Sequence, residues 1–199
     1  MRLLKEVPKK PRALILENVK GLKPYLSVLN NELSEHGYTM YYALYNSKFW
    51  GVAQNRERYF IVALRDVDWI AFSMPRQQTE FIPKLRDFLD VDVPKNIIFQ
   101  MNMLLVGNLD IKANDICTRV YSPDGICPTL HSCTSGGSHA KILDNYRVRR
   151  FTPREYARLQ GFPETYKLVC SDSQMYKMFG NAVTVNVAKA VIEAVKVVL

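Results

Sequence analysis

Two short, uninterrupted apolar runs constrain the fold of this chain more than any other feature. The first covers residues 13–16 and the second covers residues 59–64. Runs of this length are typical of strands that are buried on both faces of a parallel sheet. Between them, four leucines recur at helical spacing, namely Leu22, Leu26, Leu29 and Leu33. The pattern predicts part of an α/β sheet over residues 1–65.

The pattern of apolar and turn-forming residues changes at two further points along the chain. Residues 66–148 alternate short apolar pieces with turn signals, which predicts a small β-rich domain inserted after the sheet. Residues 149–199 return to helical patterning and are predicted to rejoin the first domain. Thr152 and Glu155 have the spacing of a helix capping box. Beyond Asn181 the last helix is apolar except for one narrow polar stripe, so we expect it to be buried on most sides.

The basic excess of the chain is concentrated in two segments. The 199 residues contain 27 Lys and Arg against 19 Asp and Glu, a net charge of +8. Residues 1–20 and 141–160 each carry six basic and two acidic side chains, so together they account for the whole excess. Such clusters are either solvated surface or contacts for a polyanion. Closely spaced arginines around Arg149 favour phosphate contacts.

Composition also excludes several classes of protein. No run of about 18 apolar residues is present, so a membrane span is not predicted. The four cysteines form no C-x-x-C pair, which favours a reduced, cytoplasmic protein. Two cysteines and two histidines cluster between residues 127 and 139, but their spacing matches no common zinc pattern, and we predict no metal site.

Three groups of polar residues are candidates for a functional site. Glu17 directly follows the first apolar run, where α/β sheets bind ligands. Arg56 and Arg58 precede the second run and, two residues apart in an extended segment, can present a fork of guanidinium groups on one face. Gly180 and Asn181 precede the last helix, where they suit close backbone approach and polar binding. Taken singly, each has a plain alternative: a helix cap, a surface pair neutralised by an acid, and a helix N-cap.

Four motifs in order resemble those of the DNA cytosine-C5 methyltransferases. They are Leu16-Glu17-Asn18-Val19, Gln54-Asn55-Arg56-Glu57-Arg58, the segment Arg150 to Pro163, and the segment Ser173 to Val183. The resemblance covers nearly the whole chain apart from its middle. It implies part of a Rossmann-like, S-adenosylmethionine-dependent methyltransferase fold, with residues 66–148 as a target-recognition domain.

The resemblance also implies roles for individual residues. In that family a cysteine thiolate adds to C6 of a flipped cytosine, and a carboxyl group matched here by Glu17 binds or protonates N3. Arg56 and Arg58 match arginines that steady the base and the nearby backbone. Asn181 and Val183 would line the S-adenosylmethionine pocket. Contacts to double-stranded DNA are expected from Thr118, Arg119, Ser122, Thr129, Gly136, Gly137 and Arg149.

Two family elements are missing from these 199 residues: the glycine-rich cofactor loop and the Pro-Cys-Gln segment that supplies the nucleophile. Cys127 stands before a proline rather than after one, so it does not match that nucleophile. We therefore expect this chain to lack activity alone. It would be either a split subunit completed by a partner chain or a truncated form, from a restriction-modification or phage system. The alternative from another class is a non-catalytic DNA-binding module.

Overall fold

A computed structural model describes residues 2–67, 71–77, 81–91, 93, 98–99, 118–132 and 139–199. The chain divides into two compact units. The first comprises Met1–Asn46, Glu57–Gln77 and Asn186–Leu199, and the second comprises Ser47–Arg56 and Gln78–Val185. Most of the predicted middle domain therefore lies in the second unit.

The first unit is a three-stranded sheet with helices. Its elements are α1 (Arg2–Glu6), β1 (Ala13–Val19), a 3-10 turn (Lys20–Tyr25), α2 (Leu26–Glu35), β2 (Thr39–Asn46), β3 (Glu57–Leu64) and, at the end of the chain, α5 (Val185–Lys196). The strand order is β1-β3-β2. Strand β3 is antiparallel to both neighbours, so β1 and β2 run in the same direction. The mixed α/β class predicted from the sequence is confirmed.

The strand pairing differs from the expected parallel arrangement. The short connection after β2 returns the chain at once, so β3 enters antiparallel between β1 and β2. Residues 59–64 of this central strand are all buried, as predicted. The prediction of complete burial is wrong for β1, which is an edge strand of the described sheet and leaves Ile15 40% exposed.

Apolar side chains on one sheet face pack against α2. Leu33 and Tyr38 share a cluster with Ala63, and Leu26 shares another with Ile61. Helix α5 is less buried than its sequence predicted. Its buried residues form a single stripe of Val187, Val191 and Val195, while Ile192 is 46% exposed.

The second unit combines a small sheet with two helices. Its elements are β4 (Ile98–Phe99), β5 (Val120–Tyr121), β6 (Lys141–Asp144), β7 (Arg147–Arg150), α3 (Pro153–Leu159) and α4 (Asp172–Asn181). The strand order is β4-β7-β6-β5, with β5 and β6 parallel and the other pairs antiparallel. One core joins the sheet to the helices, and Ile142, Phe151 and Tyr156 are completely buried in it. The predicted capping box of Thr152 and Glu155 is present at the start of α3.

Candidate active site

Strands β1 and β3 bring Glu17 and Arg58 together. Glu17 lies within β1 opposite Phe60, and Arg58 lies in β3 opposite Val19, so the two side chains are diagonal neighbours on one face. Arg58 Nε is 3.1 Å from Glu17 Oε1, and both side chains are mostly buried. Within the described residues, Oε1 is buried and accepts no hydrogen bond. Arg58 therefore holds this buried oxygen by charge, without an ordinary hydrogen bond.

Arg56 has a different set of partners. It precedes β3, is 4% exposed, and donates from its guanidinium group to backbone carbonyls. Nη2 lies 2.9 Å from the oxygen of Ala182, and Nη1 lies 3.3 Å from that of Leu130 and 3.5 Å from that of Gly180. The carbonyls of Gly180, in the last turn of α4, and of the C-cap Ala182 thus face a cation, which suits the negative end of a helix dipole. Arg56 and Arg58 therefore do not present the predicted pair of guanidinium groups on one face, because Arg56 binds the protein backbone and Arg58 binds Glu17.

The sequence suggested that Gly180 stands at the start of the last helix. In the structure it belongs to the end of α4. A Cβ atom at this position would lie 2.3 Å from the carbonyl carbon and oxygen of His131 and 2.5 Å from the nitrogen of Ser132. Only a glycine permits this approach of backbone to backbone. Asn181 follows with an exposed side chain, and Val183 is half-buried. The two predicted cofactor residues therefore share one short turn between α4 and α5.

Polar side chains that sequence reasoning missed hold this turn in place. Thr184 Oγ1 is 2.8 Å from Ser47 Oγ and donates to Gln160 Oε1 at 3.1 Å. Gln160 Nε2 donates to the backbone carbonyl of Phe179, and the backbone carbonyl of Gln160 accepts from the nitrogen of Val185. Ser47, Gln160 and Thr184 are all buried. No periodicity marks them in the sequence, because a buried hydrogen-bonded side chain has the same residue type as an exposed one.

Arg149 lies in the interior. Its side chain is 2% exposed and makes two hydrogen bonds to the completely buried carboxylate of Glu155, at 2.7 and 2.8 Å. Nε adds a bond of 2.8 Å to Asp144. Burial disfavours the charge on Arg149, but its hydrogen bonds to Glu155 and Asp144 outweigh this and raise its pKa. A phosphate contact would require breaking this ion pair, so the expected DNA contact does not agree with the observed burial.

The other predicted DNA-contact residues occupy several environments. Arg119 and Ser122 are exposed, whereas Thr118 is buried. Ser122 Oγ accepts from the nitrogen of Asp124 in a turn, and Thr129 Oγ1 donates to the carbonyl of Asn55 at 2.8 Å. The predicted contacts at residues 136 and 137 lie outside the described residues.

Neither described cysteine resembles a catalytic thiolate. Cys127 is completely buried, and desolvation raises its pKa well above the usual range, which opposes formation of a thiolate. Cys170 is exposed on the surface. The described part of the chain contains no group of three His, Cys, Asp or Glu side chains suited to a metal ion.

Among the described helices, none is by itself both long and apolar enough to span a membrane. Only Asp172–Asn181 and Val185–Lys196 taken together reach that length and composition, and they are bent by 44° at their junction.

Comparisons with known proteins identify a matching family and similar proteins. The profile of a family described as C-5 cytosine-specific DNA methylase matches residues 1–115 and 112–197. The type II methyltransferase M.HhaI of Haemophilus parahaemolyticus is 31% identical over 94% of this chain and 63% of its own length. M.HaeII of Haemophilus aegyptius is 34% identical over 92% of this chain and 60% of its own length. This chain thus spans about three fifths of these relatives.

Solved structures show the same fold. The Dnmt2 methyltransferase of S. pombe superposes with a TM-score of 0.72, covering 95% of this chain and 66% of that one at 20% identity. A methyltransferase fold is therefore present here, and the predicted partial fold of this class is confirmed.

Proposed function

Because the chain belongs to the C-5 cytosine-specific DNA methylase family, we propose that it forms the base-binding part of a DNA cytosine-C5 methyltransferase. The reaction would transfer a methyl group from S-adenosylmethionine to C5 of a cytosine flipped out of duplex DNA. The observation that carries this proposal is the Glu17–Arg58 ion pair, in which Glu17 Oε1 is buried and lies 3.1 Å from Arg58 Nε. The type II names of the relatives point to a restriction-modification or phage system.

The chemistry of cytosine explains the need for such a carboxyl group. C5 is a poor nucleophile until a thiolate adds to C6, and that addition is easier when N3 is hydrogen-bonded or protonated. In its protonated form the Glu17 carboxyl group would donate its O–H to N3, and its other oxygen would accept from the N–H of the exocyclic amine. Arg58 orients the carboxylate and adds positive charge beside it. Cys127 is buried as a thiol and does not suit this attack, so we propose that the thiolate comes from the Pro-Cys-Gln segment of a completing chain.

The turn after α4 suits part of an S-adenosylmethionine site. Asn181 is an exposed amide that both donates and accepts hydrogen bonds, and Val183 offers apolar surface two residues later. The buried bonds of Thr184 keep the turn ordered before any ligand binds. When bound, S-adenosylmethionine supplies an electrophilic methyl group. Asn181 and Val183 would bind and orient it, and the glycine-rich loop would complete the site.

DNA contact would come from exposed cations of the second unit. Arg119 and Arg147 are exposed, and Ser122 lies in an exposed turn. We replace Arg149 by Arg147 in this role, because Arg149 is committed to Glu155. Arginine side chains at such positions suit phosphate and guanine edges.

The first unit exposes apolar surface where a completing segment can bind. Edge strand β1 leaves Ile15 40% and Val19 50% exposed, both on one face of the sheet. An apolar edge strand of seven residues favours pairing with a further strand. We propose that the segment with the cofactor loop and the Pro-Cys-Gln nucleophile pairs here. Monodisperse protein yield should therefore rise on co-expression with that segment, and equal behaviour with and without it would contradict this part of the proposal.

The test of function is methyl transfer in the completed protein. Labelled S-adenosylmethionine and unmethylated duplex DNA of mixed sequence are mixed with this chain and the completing segment. Label should appear in DNA as 5-methylcytosine, and E17Q should lower the rate by roughly 10²–10⁴, the usual contribution of a positioned acid or base.

The matched control is E57Q. Glu57 is the acid of a neighbouring, exposed ion pair with Lys20, so its loss should leave the rate nearly unchanged. Absence of methyl transfer by a folded, completed complex would refute the proposed enzymatic function. DNA binding that survives E17Q under those conditions would favour the non-catalytic module.

A further inference from the structure

Two side chains of one short segment bind both backbone polar groups of Leu130. Gln54 Oε1 accepts a hydrogen bond from the nitrogen of Leu130 at 3.2 Å. Arg56 Nη1 donates to the carbonyl of the same residue at 3.3 Å. Gln54 is completely buried and Arg56 nearly so. The backbone at Leu130 is therefore held by side chains and not by a sheet, and its position depends on segment 54–56.

The same guanidinium group also holds the turn after α4. Arg56 donates to the carbonyls of Gly180 and Ala182, on either side of Asn181. Gly180 in turn packs directly against the backbone of His131 and Ser132. Segment 127–132 and turn 180–184 are thus joined twice, once through one buried cation and once through a backbone contact that only glycine allows.

We infer that Arg56 is a positioning residue that fixes turn 180–184 against segment 127–132, so that the two open and close as one unit. The link to the cofactor rests on the proposed function, which places Asn181 and Val183 in the S-adenosylmethionine site. A planar guanidinium group can bind several carbonyls in fixed directions, whereas a lysine ammonium presents a single point charge. The family resemblance implied instead that Arg56 and Arg58 steady the flipped base and the nearby backbone.

Amide hydrogen exchange of the 199-residue chain tests the inference without any activity. The probes are the amides of Leu130, Ala182 and Val185, which donate to Gln54, Phe179 and Gln160 respectively. In R56K, exchange at all three amides should accelerate at least tenfold, while amides paired between β6 and β7 keep their protection. In the matched variant R147K, at an exposed position, no probe should change. Acceleration at only one of the two segments, or at neither, overturns the inference.

A measurement on the unmodified chain covers the case in which R56K does not fold. In low denaturant, the three probe amides should share one opening free energy and one denaturant dependence, because they belong to one cooperative unit. Independent opening of Leu130 and Val185 would overturn the inference.

The completed enzyme gives a second readout. R56K should raise the KM for S-adenosylmethionine at least fivefold with kcat changed less than twofold, whereas R58K should mainly lower kcat. An unchanged KM for R56K overturns the link to the cofactor. If the exchange results hold but neither variant nor parent transfers methyl groups, the proposed function fails and the positioning role stands.

Discussion

Substituting Gly180 with alanine perturbs a close contact between its backbone and that of His131 and Ser132. The added Cβ would lie 2.3 Å from the carbonyl of His131, whereas ordinary contacts of a Cβ begin at about 3.4 Å. The backbone around His131 must therefore move by about 1 Å. It cannot do so freely, since Leu130 is bound by Gln54 and Arg56. Relief of the clash would weaken those bonds as well.

The expected cost follows from measured effects of overpacking. Inserting a methyl group into a well-packed site costs typically 1–3 kcal/mol, and a rigid backbone neighbour places G180A near the upper value, at about 3 kcal/mol. For a chain of this length that corresponds to a decrease in Tm of roughly 6–12 °C. The matched control is G21A, because a Cβ at Gly21 meets only the side chain of Val19, at 3.9 Å. Thermal and urea unfolding by circular dichroism measure both. Equal stability of G180A and G21A would refute the close packing described here.

Two further predictions concern buried charge and pH. E155Q should lower the free energy of unfolding by about 3 kcal/mol, because it leaves Arg149 buried with less neutralising charge. E164Q, which changes an exposed ion pair, should lower it by less than about 1 kcal/mol. Urea unfolding compares the two variants, and equal effects would contradict the burial of the Arg149–Glu155 pair. Burial and nearby cations lower the pKa of His139 from 6.5 to about 4. Because only the unfolded chain binds this proton between those values, the contribution of His139 to stability should fall by up to about 3 kcal/mol as pH decreases from 6.5 to 4, and this contribution should not change further below pH 4. H139Q should remove this part of the pH dependence in urea titrations, and an unchanged slope would contradict it.

Local pattern and chemistry predicted the parts of the fold that depend on near neighbours. The buried run at residues 59–64 is the central strand β3, and Thr152 with Glu155 caps α3 as their spacing indicated. The direction of strand pairing was not predictable in this way. An apolar run shows that a strand is buried and does not show which neighbour it pairs with, so the antiparallel entry of β3 was missed.

The residues of the candidate site also differ in how far the sequence could predict their partners. Glu17 and Arg58 were found because charged residues beside apolar strands stand out, and pairing of β1 with β3 brings them together. Arg56 and Arg149 have the same residue type as Arg58, yet they bind a set of carbonyls and a buried carboxylate. The carbonyl partners of Arg56 lie far along the chain, and the carboxylate partner of Arg149 belongs to a helix cap. The sequence therefore does not show that these two arginines bind groups within the protein.

The central claim is that Glu17 and Arg58 act on the cytosine as one unit. A double-mutant cycle on kcat/KM of the completed enzyme tests it most directly, using E17Q, R58K and the double variant. If the pair works together, the double variant should be about as slow as the slower single variant, because either change alone disrupts the same interaction. Losses that simply multiply, or single variants with normal rates, would contradict the account.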